Sequence, residues 1–511
     1  MIRHSGAALT ALLGALLLWA PLPFGGVTTW AEATLQVLAF CALALAMAVI
    51  QHPRDLRPVA LPAAALGAVA LLGLLQALPW PAAIVALVSP GQARLHDQAA
   101  ALLGAAAAGP ARFSLAPAAT RAAALTWAAT AACLLAGAAA GRRRHRRRWL
   151  GGAVLAAALV QVFLGARNAN AGERTLWGVE VPIAASRLRG TFFNPNHLAV
   201  YLEIALALTF AWGWWATRRA RAELALDRRV LSLAPPALVW LTLFAGLTFT
   251  ASRGGLVAAL AGIVAQGVLL ATVQRRWAPA MLGAAAAIAG IAAALATGLR
   301  AGPARMLATT QFDVSLGARR QAWSATLALW RSFPVTGTGL GTFRDAFTLE
   351  QPASLPGTWW HAHSAPFELL ATTGPAGPLL VTAGLIALLV RLIAVLRRGR
   401  RSEDRAAGLA VLGALAATGV HELFDFGLTL PANALTLAVL AGAASSARLA
   451  SGSPASGRGA ASGPTIVRGD QADGAGKHGA AGDGLDLEQM EPRRDGGVKP
   501  QRGPRGDRKG P

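Results

Sequence analysis

Gly141-Arg142-Arg143-Arg144-His145-Arg146-Arg147-Arg148 sets six arginines between two apolar stretches, 121–140 and 149–166, that carry a single charge, Arg121, between them. About 20 apolar residues in a helix cross a hydrocarbon layer, because a helix satisfies its own backbone there. Arginine collects in the connectors on one side of such a layer. The stretch therefore reads as helix, cytoplasmic connector, helix.

The same unit recurs along the chain. Twelve candidate spans lie near 6–22, 32–50, 59–78, 121–140, 149–166, 197–216, 230–250, 254–273, 278–297, 376–396, 406–421 and 432–449. With the N-terminus inside, the connectors 1–5, 51–58, 141–148, 217–229, 274–277 and 397–405 hold 21 arginines in 47 residues. The much longer segments of the opposite face hold 13. The expected fold is an all-α polytopic membrane protein of about 12 transmembrane helices, both termini cytoplasmic.

Composition agrees. Of 511 residues, 54% are hydrophobic and 14% charged, against roughly 25% charged in soluble domains. That excludes a disordered chain and an ordinary soluble enzyme. The net charge of +23 sits mostly in connectors beside spans, so it marks sidedness and argues against a nucleic-acid partner. Two cysteines, Cys41 and Cys133, exclude a disulfide scaffold and a Cys-rich cluster; both fall in spans and read as core residues. From about 450 the chain turns rich in Gly, Ser, Pro, Asp and Arg, and 450–511 reads as a disordered cytoplasmic tail. The expected organisation is 1–148 (about four spans), a core of 149–449 with an outer loop at 298–375, and the tail.

Three outer segments, 79–120, 167–196 and 298–375, are long enough to build something. In the last, Trp323, Leu327 and Trp330 recur at i, i+4, i+7, a stripe suited to a helix lying on the membrane. Arginines on this face run against topology: Arg167, Arg174, Arg187 and Arg189 in one segment, six in another, and Arg253 in Ser252-Arg253-Gly254-Gly255. Singly they suit snorkelling to headgroups; together they suit a cationic floor for an anionic group, since guanidinium forks bind phosphate oxygens bidentately.

Trp359-Trp360-His361-Ala362-His363-Ser364-Ala365-Pro366-Phe367-Glu368 offers an imidazole that can accept a hydroxyl proton near neutral pH. Its competing reading is a set of interfacial anchors. His-x-His lacks a third ligand at a convincing spacing, so no metal is expected. Glu368, five residues from His363, is too far round a regular helix to stack on it and reaches it only through a bend. Gly337-Thr338-Gly339-Leu340-Gly341 follows no strand and reads as a turn, not a phosphate loop. Asn194 or Asn196 can cap a helix starting near His197. His421-Glu422-Leu423-Phe424-Asp425-Phe426 places ionisable groups at the outer end of a span, where they are functional candidates or a satisfied structural network.

These pieces in this order resemble the O-antigen ligase/polymerase superfamily of bacterial inner-membrane glycosyltransferases. The matching stretches are 189–199 (Arg-Gly-Thr-Phe-Phe-Asn-Pro-Asn-His-Leu-Ala), 252–255, the run 317–343, 361–370, and His421 to Phe426 with Pro431-Ala432-Asn433. The resemblance covers roughly 150–445. It implies a glycan donor on undecaprenyl pyrophosphate at the periplasmic face, and metal- and cofactor-independent, inverting transfer to an acceptor hydroxyl, commonly of lipid A–core. It also implies that His363 and Arg253 are catalytic. Pyrophosphate contacts then fall to Arg187 or Arg189 and to Arg319 or Arg320; Asn194, Asn196, His361, Glu368, His421 and Asp425 are further candidates, from the motifs themselves, for holding pyrophosphate or glycan. One departure stands out: the family's acid before the Gly-x-x-Gly turn is replaced by Thr372-Thr373-Gly374. The rival readings are polymerisation with the same donor, ligation to another hydroxyl such as a protein serine, and a transporter of an anionic lipid-linked substrate. In the last, Glu203 would be a pathway residue rather than a paired core group.

Overall fold

The structure, a computed structural model, describes residues 2–172, 175–180, 187–221, 225–275, 277, 285 and 316–450. In chain order the elements are α1 (Ile2–Trp19), α2 (Thr29–Val49), α3 (Ala60–Ala77, preceded by a 3-10 turn Pro53–Val59), α4 (Ala82–Val88), α5 (Pro90–Leu103) and α6 (Ala105–Ala108). Then come α7 (Pro117–Gly141), α8 (Arg144–Asn170), a two-stranded antiparallel hairpin of β1 (Thr175–Leu176) and β2 (Val179–Glu180), α9 (Pro195–Ala220), α10 (Leu226–Phe249) and α11 (Arg253–Gln274). The last are α12 (Leu316–Ser332), α13 (Phe343–Ala346), α14 (Ala365–Thr373), α15 (Ala376–Arg398), α16 (Ser402–Glu422) and α17 (Pro431–Ser445).

The chain is an all-α polytopic membrane protein. Among the described residues eight helices are long and apolar enough to cross a membrane: α2, α3 with its leading turn, α7 to α11, and α15. The apolar helices His4–Trp19 and Pro431–Ser445 are shorter. Every expected span coincides with a helix except 278–297, which apart from residue 285 lies outside the described residues, as do Arg174 and the tail from 451 onward.

Apolar attraction between helices is weak in lipid, so close packing of small residues and interhelical hydrogen bonds do the joining. The Ala- and Gly-rich α7 packs on α17. There a Cβ at Gly137 would collide with the Val439 carbonyl, and one at Gly442 with that of Leu134. The fully buried Gln266 of α11 donates to the carbonyls of Ala207 in α9 (2.9 Å) and Leu409 in α16 (3.2 Å). Cys133 is buried, as expected, but Cys41 lies on the outward face of α2. The helical period places it away from Leu35, Ala39, Ala42 and Ala46, which pack inward.

The two ends of the bundle differ. At one, Arg142 pairs with Asp55, Arg147 with Asp404, and Arg148 with Glu403 (3.2 Å), so the connectors 51–58, 141–148 and 397–405 meet there. At the other, the segments 79–120 and 316–375 fold together. Leu115 N–H donates to the Thr338 carbonyl (2.9 Å), and Gln76 Nε2 to those of Thr336 (2.7 Å) and Thr372 (3.0 Å). The glycine run 337–341 is a turn docked on the end of α14, with Thr338 and Gly339 N–H donating to the carbonyls of Ala371 and Thr372. Gly374 needs its left-handed φ of +61°, and a Cβ there would strike the Val335 carbonyl. The α12 stripe differs from expectation. Its buried face is Ala322, Ala325, Thr326 and Leu329, one residue round from the Trp stripe, so α12 packs on protein, with half-buried Trp323 and Trp330 flanking the seam.

Candidate active site

Three helix starts meet at the end of the bundle opposite the arginine-rich connectors. Asn194 caps α9, its side chain accepting the Asn196 N–H (2.9 Å), and Pro195 supplies the preset φ of the first turn. Ser252 caps α11 by accepting the Gly255 N–H (3.1 Å), after Ala251 turns the corner in the left-handed region (φ 51°). The third start is α14, whose Ala365 N–H donates to the Asp425 carbonyl (3.2 Å). Helix N-termini carry partial positive charge and unpaired N–H groups, so their convergence favours an anion.

Asp425 is the hub. Its side chain is 3% exposed. One oxygen accepts from Asn196 Nδ2 (3.3 Å) and lies 4.0 Å from His421 Nε2; the other lies 3.4 Å from His363 Nδ1, in ion-pairing range but poorly directed for a hydrogen bond. Burial raises the Asp425 carboxyl, but His363 and the nearby imidazoles of His197 and His421 outweigh it and hold the group well below the usual carboxylate range. His421 in turn contacts Glu203 Oε1 through Nδ1 (2.6 Å), so Glu203, His421, Asp425 and His363 form one line from within the bundle to its end. Glu203 is therefore a paired core group.

His363 sits in the left-handed region (φ 51°), a costly place for a residue with a Cβ. The surroundings hold it there. Trp323 Nε1 donates to the His363 carbonyl (3.2 Å), and Ala362 N–H donates to Glu368 Oε2 (2.9 Å). The ring meets Trp359 and Phe426 edge-on at 5.7 and 5.1 Å. Glu368 serves the other imidazole, with its Oε1 2.9 Å from His361 Nδ1. Burial lowers the His361 ring, but the Glu368 charge and hydrogen bond prevail and raise it above the ordinary histidine value. His361 also stacks on Phe426 (3.9 Å, 20°).

The arginines divide. Arg187 donates to Asn196 Oδ1 (2.9 Å) and to the carbonyls of Thr250 (2.8 Å) and Ala251 (3.3 Å), clamping the corner from which Arg253 springs. Arg253 is the first residue of α11, with an exposed side chain, and a Cβ on the adjacent Gly254 would lie 3.5 Å from His421 Nε2. Arg319 donates to the Phe424 carbonyl (2.8 Å), next to the hub, whereas Arg320 is exposed. Arg189 is buried, 3% exposed, in the turn before α9. His197 and Phe426, which the sequence motifs contain without marking them as site residues, also belong here. His197 is buried, packs edge-on against Phe426 (4.8 Å), and is the neighbour of Asn196 in the first turn of α9. Among the described residues no group of three or more His, Cys, Asp or Glu is disposed to hold a metal ion.

The arrangement defines a class: a polytopic membrane protein whose one end holds imidazoles, a buried carboxylate and guanidiniums around converging helix starts. Residues 237–382 match the family described as O-antigen ligase, so the resemblance carried by the sequence motifs is borne out and this region is O-antigen ligase-like. Members of that family are glycosyltransferase-like ligases. No curated protein matches the chain. The matched region contains Arg253, Arg319, His361, His363 and Glu368; Arg187, Asn196, Glu203, His421 and Asp425 reach the same place through the fold.

Proposed function

We propose that the protein transfers a glycan from undecaprenyl pyrophosphate to an acceptor hydroxyl of lipid A–core type at the periplasmic face of the inner membrane. The observation that carries this reading is His363 held beside the ionised Asp425, in a cluster bordered by Arg187 and Arg319, with Arg253 opening the adjoining helix α11. With Nδ1 turned to Asp425, the ring's Nε2 is the base: it takes the proton as the acceptor oxygen attacks the anomeric carbon. The bond from that carbon to the pyrophosphate oxygen breaks on the opposite face, so the configuration inverts. The leaving group departs with the electron pair, and the guanidiniums and helix starts stabilise its charge.

Within the pairs left open by sequence, Arg187 and Arg319 are the favoured pyrophosphate ligands, since both reach the hub's own neighbours while Arg189 is buried. His361 and Glu368 shape the loop beneath the acceptor.

Deleting the gene and running lipopolysaccharide on a gel tests the reading. Loss of the whole ladder with intact core is expected. Core carrying a single repeat assigns polymerisation instead, and an unchanged ladder contradicts both.

A further inference from the structure

At the arginine-rich end, Arg142, Arg144, Arg147, Arg400, Arg401 and Arg448 converge on a cavity of about 400 Å³ whose only acidic lining residue among the described residues is Asp404. An adjoining cavity of about 370 Å³ shares Arg142, Arg400 and Arg448. Sidedness accounts for how many arginines the connectors hold, but not for the gathering of arginines from two separate connectors and the end of the last helix around one opening. Like charges brought together repel, and the partners within reach are already used. Asp55 is paired with Arg142, and Asp404 with Arg147. The free carbonyls at helix ends take Arg391, which donates to Ser445 and Ala447 (2.8 Å each), and Arg405, which donates to Gly399 (3.1 Å). Among the described residues, the side chains of Arg144, Arg400 and Arg448 make no hydrogen bond or ion pair. The starts of α8 and α16 open at the same place and add their partial positive charge.

We propose that this cavity binds a phosphate-bearing anionic group, supplied by the headgroup of an anionic membrane lipid, at the end of the bundle opposite the candidate active site. Guanidinium forks match phosphate oxygens, and a basic opening between membrane helices is the form such sites take. The inference is independent of the glycosyl-transfer reading and uses none of its residues.

The test follows thermal unfolding of the full chain in neutral detergent during separate titrations with phosphatidylglycerol, phosphatidylcholine and inorganic phosphate. Phosphatidylglycerol is expected to raise the unfolding temperature saturably and phosphatidylcholine to leave it unchanged. Arg400→Gln with Arg448→Gln should weaken phosphatidylglycerol binding about 30-fold, the loss for two headgroup-directed arginines. Arg218→Gln with Arg219→Gln removes the same charge at the same end, where those side chains lie over Trp214 and Trp215, and should change nothing. If the cavity pair does not fold, Arg448→Gln alone should weaken binding about fivefold. Stabilisation by inorganic phosphate alone, lost in the cavity variant, supports the phosphate site but overturns the lipid as its source. Equal losses in both double variants, or no stabilisation by either phosphate probe, overturn the proposal.

Discussion

Replacing Asp425 by Asn removes one charge and the hydrogen bond that its second oxygen accepts from Asn196 (3.3 Å). Asparagine keeps the volume, the oxygen that accepts the Phe426 N–H (3.1 Å), and the backbone carbonyl that anchors Ala365 (3.2 Å). What disappears is the carboxylate facing His363 at 3.4 Å and His421 at 4.0 Å, at a site 3% exposed where the interaction is weakly screened. A charge-assisted contact of this kind contributes about 2 kcal/mol, so Asp425→Asn should lower kcat/KM for transfer roughly 30-fold. His363→Ala, which removes the base itself, should cost about 100- to 10,000-fold. The decisive variant is the double. If Asp425 acts through His363, then Asp425→Asn on top of His363→Ala should cost no more than about threefold further, because residues acting as a unit are not additive. The assay is transfer of labelled glycan from a lipid-linked donor in membranes, normalised to folded protein by gel-filtration fluorescence. A double variant that loses the full further 30-fold would make Asp425 a structural residue and refute the coupling.

Other outcomes follow from the same geometry. Arg319→Gln should reduce kcat/KM at least tenfold and Arg320→Gln little, since one charge-assisted contact beside the hub is lost in the first and none in the second; steady-state transfer kinetics measure both. The His361–Glu368 pair sets a pH dependence. A histidine raised in the folded state adds stability that is complete below its unfolded value of about 6.5 and fades as pH rises through the folded value. The fall in unfolding temperature caused by Glu368→Gln should therefore be larger at pH 6 than at pH 9, as calorimetry or dye-based melting would show. Gly374→Ala, which combines a left-handed φ with a clash on the Val335 carbonyl, should destabilise the outer segment by about 1–3 kcal/mol and speed its proteolysis.

The bundle was legible because its cause is local. Each span is a run long enough to cross hydrocarbon, and each arginine connector states a side. Within the site, residue types were legible and pairings were not. His363, Arg253, Asp425, His421, Asn196 and Arg187 stand out as polar groups at the mouths of apolar helices. Their partners depend on which helices pack together, as with His421 and Glu203, 218 residues apart. Glu203 did leave a signal, since a lone acid in an apolar helix requires a partner in the bundle. The exchange of Glu368 from His363 to His361 came from the left-handed turn at His363, which no helical or strand period announces. His197 was hidden by its neighbours: Asn194 and Asn196 carry an evident capping signal, and the imidazole beside them passes as the first buried side chain of α9.

In the proposed reaction His363 and Arg253 belong to one transfer site. Its most direct measurement is the rate of glycan transfer from an undecaprenyl-pyrophosphate donor to lipid A–core by His363→Ala and Arg253→Ala proteins that insert at wild-type levels. Losses of at least about 100-fold in both are predicted, with donor binding kept in the first and weakened in the second. Wild-type transfer by either protein would contradict the account.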